Sequence, residues 1–587
     1  AQSAQRFWRF GTSVLGPSSV AFAEWVHAQA HARGYTRVHC LMREGEFLSR
    51  LLDGAATYVD NPVEARKFWA SRQVTARAAI FEASREELSG FLNRRRPPTM
   101  RQFLEALGLS LSTFPELFSH GEGRLDDPRL FERAMDLVER RPEVRAAIVD
   151  EAALLRRRLL TYFEREAGDQ HRILLADLGW GATIQANLQK VFDSSGLRVQ
   201  VHGLYLATND AAVDRILSGV RAEGFLTSAG TPVPESSYIS RSPEIIEQSF
   251  MHDVGSLANY TSDGEPVCEE LRQDPVQGLQ RVAVQAGILA FQQEWARYRT
   301  VVPESVSLLQ PAAREQLLEM IMRFILRPTH EEALMFSGWL HDDNFGSDDT
   351  ETVVSGSLRS ALKYMTPEQY LDLPTTKTFW PFGLAAIYEP ALGRAAAAVA
   401  EGIVSPDVFV QSEVHAMPIF LDDGSGFEER VRTLVRINGA GLCFGREVMA
   451  TRAVHAVRLA FPGGPGIVRV DRLSFSFSVE GAAEPVVVVI DSVDGFASLE
   501  HDFAQPLSPN VLVGRQQAPQ FIYTCPREWR DLVYRLEVEA AFAWLPTAAL
   551  PAAVAARDDG ALVDLAARAG RKVVRSLASR RPRSAAP

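Results

Sequence analysis

The chain has 587 residues, so we expect more than one domain, because a single hydrophobic core stops growing at about 250–300 residues. Hydrophobic residues make up 46% and charged residues 23% of the chain, which is typical of a soluble globular protein. The formal net charge of −11 disfavours nucleic acid as the main partner, since binding to a phosphate backbone requires a basic surface.

The cysteines favour a cytoplasmic protein with reduced thiols. They lie far apart and form no CxxC pair, so the sequence predicts neither a disulfide framework nor a zinc site. No apolar run approaches the roughly 18–20 residues that span a bilayer, and no signal peptide is visible. Because the sequence starts at Ala1 without a methionine, we expect it to be cut from a longer polypeptide.

The first elements in chain order alternate between helix and strand. Residues 14–33 read as a helix, and Arg37–Met42 reads as a short buried strand closed by the polar turn Arg43–Glu44–Gly45. A second strand, Lys67–Ala70, ends at Ser71–Arg72–Gln73. Each predicted strand therefore stops at a polar turn, where an α/β sheet places its ligands.

The segment Arg172–Asp177 is the strongest strand candidate, because four apolar residues in it precede an acid. A turn with Gly179 and Gly181 follows, and then a helix with apolar residues at helical spacing from Ile184. The glycines allow the backbone to approach a ligand closely, and the free N–H groups at the start of a helix bind phosphate. An ordinary strand–turn–helix without a ligand is the alternative interpretation.

A further predicted strand, Val199–Tyr205, extends the alternation, which favours a mostly parallel sheet with right-handed crossovers. Residues 81–168 and 270–345 are read as helical insertions within an α/β domain over 1–400.

Residues 405–548 contain short alternating apolar segments separated by Gly, Pro and Asp, so we expect an all-β sandwich there. The tail 549–587 is rich in alanine and then arginine. It either contacts an anionic membrane surface peripherally or is a helix that frays into solvent.

Several catalytic patterns are absent from the sequence. It has no GxGxxG with a following acid, no GxxxxGK[ST], no GxSxG, no HExxH and no DxDxT. The clusters His330–Glu332 and His341–Asp343 lack the spacing of paired metal ligands. The polar glycine turns after the predicted strands are the signal that remains.

These two turns resemble those of type I phosphoribosyltransferases, a Rossmann-related α/β fold. The turn 43–45 resembles the family's pyrophosphate loop, and 177–185 resembles its loop for 5-phosphoribosyl diphosphate. In that family the acid holds the ribose hydroxyls, while backbone amides and a Thr hydroxyl hold the 5-phosphate. The chain departs from the pattern at Ala176, where the family usually carries a second acid.

A closer resemblance covers residues 10 to about 390. The chain is similar to a domain common in bacterial capsule and O-antigen assembly proteins, which often follows a haloacid-dehalogenase-type phosphatase or a glycosyltransferase in one polypeptide. The matching positions are Gly16–Pro17, Phe22, Trp25, Arg43–Glu44–Gly45, Ser71–Arg72, Asp177, Gly179, Trp180, Gly181, Thr183, Gln185, Glu244, Glu247, Gly255–Ser256, Tyr260, Trp380–Pro381 and Gly383.

The resemblance implies a glycosyltransferase that moves ribofuranosyl 5-phosphate from 5-phosphoribosyl diphosphate to a hydroxyl of a surface polysaccharide. A phosphatase, as partner or fused domain, then removes the 5-phosphate. We expect Mg²⁺ on the diphosphate, because Mg²⁺ binds phosphate oxygens with few protein ligands. The expected location is the cytoplasm, at the inner face of the membrane if the tail binds lipid.

The resemblance also assigns roles. Arg43, with the amides of Glu44 and Gly45, is expected on the diphosphate, Asp177 on the ribose hydroxyls or the magnesium shell, and Gly179–Thr183 around the 5-phosphate. The remaining candidates are Arg72 for anion contact, Glu247 or Glu244 as general base, Trp180 and Trp380 at the acceptor, and Ala182 and Gln185 in the phosphate loop. The alternative for Arg72 is a surface ion pair, and the alternative for the two glutamates is an exposed carboxylate on a helix. For the two tryptophans it is packing in the core.

Two other functions stay open at this point. The chain could be a non-catalytic scaffold that joins a decayed transferase domain to a glycan-binding sandwich, which the missing second acid supports. It could also be a sugar-nucleotide glycosyltransferase, which predicts a pocket for a base beside the cleft. Splayed turns or a filled cleft would favour the scaffold.

Overall fold

The computed structural model divides the chain into two compact units, at 1–363 with 370–404 and at 364–369 with 405–587. The structure describes these residues: 2–92, 97–111, 121, 123–125, 127–168, 170–229, 234–271, 274–302, 306–342, 350–355, 358–359, 362, 365, 367–373, 378–405, 415–437, 442–449, 453–461, 466–514 and 517–546. The tail 549–587 lies outside them.

The larger unit alternates helices and strands around one sheet. Its elements are α1 (Gln2–Phe10), a π-helical turn (Gly11–Leu15), α2 (Gly16–Ala32), β1 (Arg37–Leu41), α3 (Gly45–Ala55), β2 (Glu64–Phe68), α4 (Arg72–Ala78), α5 (Arg85–Ser89), α6 (Met100–Ala106), α7 (Pro128–Arg140), α8 (Pro142–Ala167), β3 (Arg172–Asp177), α9 (Thr183–Ser194), β4 (Gln200–Tyr205), α10 (Val213–Leu217), β5 (Arg221–Gly224), α11 (Pro234–Arg241), α12 (Glu244–Phe250), β6 (Leu257–Tyr260), β7 (Pro266–Cys268), α13 (Pro275–Arg299), α14 (Pro311–Leu326), α15 (His330–Phe336), β8 (Leu340–Asp342), β9 (Thr350–Thr352), α16 (Pro367–Leu371, of which 367–369 belong to the smaller unit), α17 (Pro381–Tyr388) and α18 (Pro390–Ala400).

The central sheet has five parallel strands in the order β2-β1-β3-β4-β5, flanked by helices. Ile173, Leu174, Leu175 and Ala176 of β3 are all fully buried, because a parallel sheet covered on both faces needs apolar side chains in both directions. The α/β prediction with a parallel sheet is therefore confirmed.

The helix α8 contributes residues to two hydrophobic cores. Its first half packs with α5, α6 and α7, and its second half packs against the sheet through Leu155, Leu159, Tyr162 and Phe163. The predicted helical segment 81–168 thus includes the crossover helix that leads into β3, in addition to a smaller helical cluster.

The smaller unit contains antiparallel sheets, as the alternating segments predict. Its elements after residue 405 are β10 (His415–Asp422), β11 (Phe427–Ile437), β12 (Leu442–Met449), β13 (Ala456–Ala460), β14 (Gly466–Val479), β15 (Val486–Ile490), α19 (Val493–Ala497), β16 (Glu500–Asp502), β17 (Gln505–Ser508), β18 (Val511–Gly514), β19 (Gln520–Thr524) and β20 (Val533–Pro546). The sheets run β11-β10-β13-β19-β16 and β12-β20-β14-β18-β17, with β15 paired to β14.

Strands of both sheets contribute to one apolar core, with Leu459 and Phe521 from one sheet and Phe475 and Val538 from the other. The sequence predicts two strands at 466–470 and 473–479, where the structure has the single strand β14. Its pairing with β20 shifts register between Val470 and Arg472, so a β-bulge absorbs the polar interruption that read as a turn.

No helix within the described ranges is both long and apolar enough to cross a membrane.

We predict that Leu175→Ala destabilises the larger unit by about 2–5 kcal/mol, because the change leaves a cavity in the fully buried centre of β3. Leu217→Ala is the matched control, since Leu217 is 80% exposed. Urea unfolding of the full chain, followed by tryptophan fluorescence, measures both changes. Equal midpoint shifts for the two variants would contradict this account of the core.

Candidate active site

A cleft of about 810 Å³ opens at the carboxyl ends of β1, β2, β3 and β4, and we call it the candidate cleft. The strand order reverses between β1 and β3, and open α/β sheets bind ligands at such a reversal. The predicted site residues that line the cleft are Arg43, Glu44, Arg72, Asp177, Gly179, Trp180, Gly181, Ala182, Thr183 and Glu247.

The turn after β1 holds Arg43 and Glu44 at the wall of the cleft. Arg43 is 9% exposed, and its guanidinium lies 3.9 Å from the Glu44 carboxylate. A Cβ at Gly45 would lie 2.5 Å from the carbonyl oxygen of Cys40, so only glycine permits α3 to start this close to β1. Gly45 thus shapes the turn without lining the cleft.

The turn after β3 forms the facing wall. A Cβ at Gly179 would lie 2.6 Å from the carbonyl oxygen of Ala207, and Ala182 has the left-handed φ of +56°. Helix α9 then begins at Thr183 with no side-chain cap, so its first N–H groups receive no side-chain oxygen. The peptide bonds Met42–Arg43 and Gly179–Trp180, one in each turn, are cis.

Arg215 holds the turn after β3 in place. Its guanidinium donates to the carbonyl oxygen of Gly181 at 2.7 Å and to that of Ala211 at 2.5 Å, and it lines the candidate cleft. Burial lowers the pKa of Arg215, although the charge of Asp214 opposes this, and the charge of Arg72 adds to the lowering. Arg72 and Arg215 both line the cleft that contains the start of α9, which favours binding of an anion there.

Carboxylates also gather in the candidate cleft. Burial raises the pKa of Asp177 well above its ordinary value, and the charges of Glu44 and Glu247 add to the rise. Burial likewise raises the pKa of Glu44, against the attraction of Arg43. Perturbed carboxylates in a cleft are typical of a functional site, because folding for stability alone would neutralise or expose them.

Glu247 lies on α12 and accepts a hydrogen bond of 2.8 Å from the indole N–H of Trp180. Both side chains line the candidate cleft, and Trp180 is half-buried. The hydrogen bond holds the carboxylate in one orientation and leaves its other oxygen for a substrate group. This geometry suits a carboxylate that accepts a proton.

The type of side chain around Asp177 fits Mg²⁺, because Mg²⁺ prefers carboxylate oxygens as protein ligands. Asp177 interacts electrostatically with the carboxylates of Glu44 and Glu247. No three acidic, histidine or cysteine side chains of the described residues converge as a ready cage. Mg²⁺ usually binds through one or two carboxylates together with substrate phosphates. Asp177 and Glu44 are the side chains that would hold it.

Besides Gly45, three further predicted residues do not line the cleft, namely Gln185, Trp380 and Glu244. Gln185 is fully buried, donates to the carbonyl oxygens of Val201 and Arg221, and accepts from Tyr205, so it joins α9 to the sheet. Trp380 is 1% exposed and donates to the carbonyl oxygen of Ile325.

Glu244 is 1% exposed on α12, one helical turn before Glu247, and is not among the residues that line the cleft. Of the two predicted bases, Glu247 alone lines it.

Sequence reasoning misses Arg215, Asn209, Asn187 and Lys190, which also line the cleft. Lys190 forms an ion pair of 2.8 Å with Glu87 of α5, which ties the helical cluster to α9. Asn209 lies in the turn after β4, where polar residues after a predicted strand indicate a site, whereas Arg215 lies on α10 and has no such signal in the sequence.

Comparison with models of known protein families and with curated proteins gives no match to this chain.

We predict that Asp177→Asn raises the thermal stability of the ligand-free protein, and that the gain grows from pH 4 to pH 8. The pKa of the Asp177 carboxyl is raised in the folded protein, so folding favours its protonated form and the wild type loses stability as the pH rises. Asparagine carries no charge at any of these pH values, so the variant does not lose this stability. Melting temperatures across the pH range measure it. Asp60→Asn, at an exposed position, should show no such trend.

A stability difference between Asp177→Asn and the wild type that stays constant with pH would contradict a raised pKa of the Asp177 carboxyl.

Proposed function

We propose that this chain is a phosphoribosyltransferase-like enzyme that transfers ribofuranosyl 5-phosphate from 5-phosphoribosyl diphosphate to a hydroxyl of a surface polysaccharide. The observation that carries the proposal is the meeting of two turns, after β1 and after β3, in one open cleft at the reversal of strand order. A sugar with phosphate at both ends needs two such anion sites, one on each side of the ribose.

In this proposal the turn at Arg43 holds the diphosphate, and the uncapped start of α9 holds the 5-phosphate with the Thr183 hydroxyl. Arg72 and Arg215 add positive charge beside the 5-phosphate. Mg²⁺, when bound, supplies further charge neutralisation to the departing diphosphate.

The chemical step breaks the bond between C1 of the ribose and the diphosphate oxygen, and forms a bond between C1 and the acceptor oxygen. The acceptor hydroxyl loses its proton to Glu247, whose orientation the Trp180 indole fixes. Asp177 holds the ribose hydroxyls while positive charge develops on the sugar ring.

The missing second acid of the sequence motif has a physical substitute in this proposal. Ala176 is fully buried in β3, whereas Glu44 comes from the neighbouring strand tip and interacts electrostatically with Asp177. A pair of acids from two strands can serve the ribose and Mg²⁺ as an adjacent pair would. The open cleft and the ordered turns support an enzyme over a scaffold.

The product of this reaction still carries the 5-phosphate, so a phosphatase, as a partner or an attached domain, acts after the transfer. We place the reaction in the cytoplasm, where the phosphorylated donor is available.

The test is diphosphate release by the purified chain with 5-phosphoribosyl diphosphate, Mg²⁺ and candidate glycan acceptors. We expect Arg43→Ala and Asp177→Asn to lower the rate by about 100-fold or more, because each removes a charged contact to the reacting sugar. Asp60→Asn and Arg157→Gln, at exposed positions outside the cleft, should keep the wild-type rate.

Wild-type turnover in both cleft variants would refute the site. Turnover of nucleotide sugars, without release of diphosphate from 5-phosphoribosyl diphosphate, would favour the sugar-nucleotide alternative.

A further inference from the structure

A second cavity lies at the opposite edge of the central sheet, near the amino ends of β3, β4 and β5. Its volume is about 570 Å³, and we call it the basic cavity. The residues that line it are Arg33, Arg172, His202, Ile216, Gly219, Val220, Arg221, Ala222 and Glu223. Three arginines therefore face one carboxylate, in a chain whose net charge is −11.

The strand register directs these groups to one face of the sheet. Leu174 pairs with His202, and His202 pairs with Arg221, and paired residues of parallel strands project on the same side. Arg172 lies two residues before Leu174, and Glu223 two residues after Arg221, so both share that face. The cluster is thus built by the sheet and not by a flexible surface loop.

The carboxylate in the basic cavity is already engaged. Glu223 accepts two hydrogen bonds from Arg33, at 2.7 and 2.6 Å, and its Oε1 lies 2.9 Å from Nε2 of His202. Burial lowers the pKa of His202, although Glu223 opposes this. Arg33 and Glu223 therefore balance each other, and the remaining charge of the cavity is that of Arg172 and Arg221.

Among the described residues, these two arginines have no anionic partner. Arg172 stacks on the ring of Tyr35 at 4.5 Å and donates to the carbonyl oxygen of Arg33 at 3.3 Å, so its guanidinium is held in place. No acidic side chain in the described part of the chain forms an ion pair with Arg172 or Arg221. A planar guanidinium group can donate two parallel hydrogen bonds to the oxygens of one phosphate group.

We propose that the basic cavity is a second anion site that binds a phosphate group of a small molecule through Arg172 and Arg221. The basic cavity is separate from the candidate cleft, because the two lie at opposite ends of β3. Arg172, in the cavity, begins this strand, and Asp177, in the cleft, ends it. The proposal does not depend on the proposed function.

The experiment is isothermal titration calorimetry of the full chain with inorganic phosphate at constant ionic strength in chloride. The titrations use an Arg72→Gln background, which weakens anion binding in the candidate cleft. We expect saturable binding of phosphate, with an affinity that falls by roughly tenfold or more in Arg221→Gln. The reason is that a hydrogen bond between two charged groups stabilises a complex more than one between neutral groups. Arg172→Gln should weaken it similarly.

Arg157→Gln, an exposed arginine of α8, is the matched control and should leave phosphate binding unchanged. Arg221 is exposed, so its replacement by glutamine should not unfold the protein. Circular dichroism checks this. Absence of binding in the background protein, or equal affinity in Arg221→Gln and Arg157→Gln, would overturn the proposal.

Discussion

The pairing of β1 with β3 is the constraint on which the candidate site depends. Cys40 lies beside Ala176 in a parallel register, so both strands deliver their following turns to the same edge of the sheet. The two strands are separated in the chain by more than 100 residues, including the helical cluster of α5–α8. Only this pairing brings Arg43 and Asp177 to one cleft.

The cleft that this pairing creates holds groups of like charge close together. The half-buried acids Asp177 and Glu44 repel each other, and the positive charges of Arg72 and Arg215 also repel each other. A ligand that carries phosphate on one side and hydroxyls or a cation on the other relieves both repulsions. The ligand-free protein therefore carries a cost in stability that binding offsets.

The sequence predicts the main strands well, because Arg172–Asp177 and Val199–Tyr205 combine buried apolar runs with polar stops. It does not predict β5, whose four residues Arg221–Gly224 have almost no apolar signal at the sheet edge. Gln185 and Trp380 match a motif but are buried, since a motif does not show which way a side chain points. The role of Arg215 depends on a contact with Gly181 from a different strand tip.

The most direct test of the account is a crystal structure of the protein with 5-phosphoribosyl diphosphate and Mg²⁺. We predict the diphosphate against the turn 43–45 and the 5-phosphate at the first turn of α9, with the ribose beside Asp177. A donor bound elsewhere, or in the reverse orientation, would contradict the account. So would an unchanged cleft at saturating concentrations of donor.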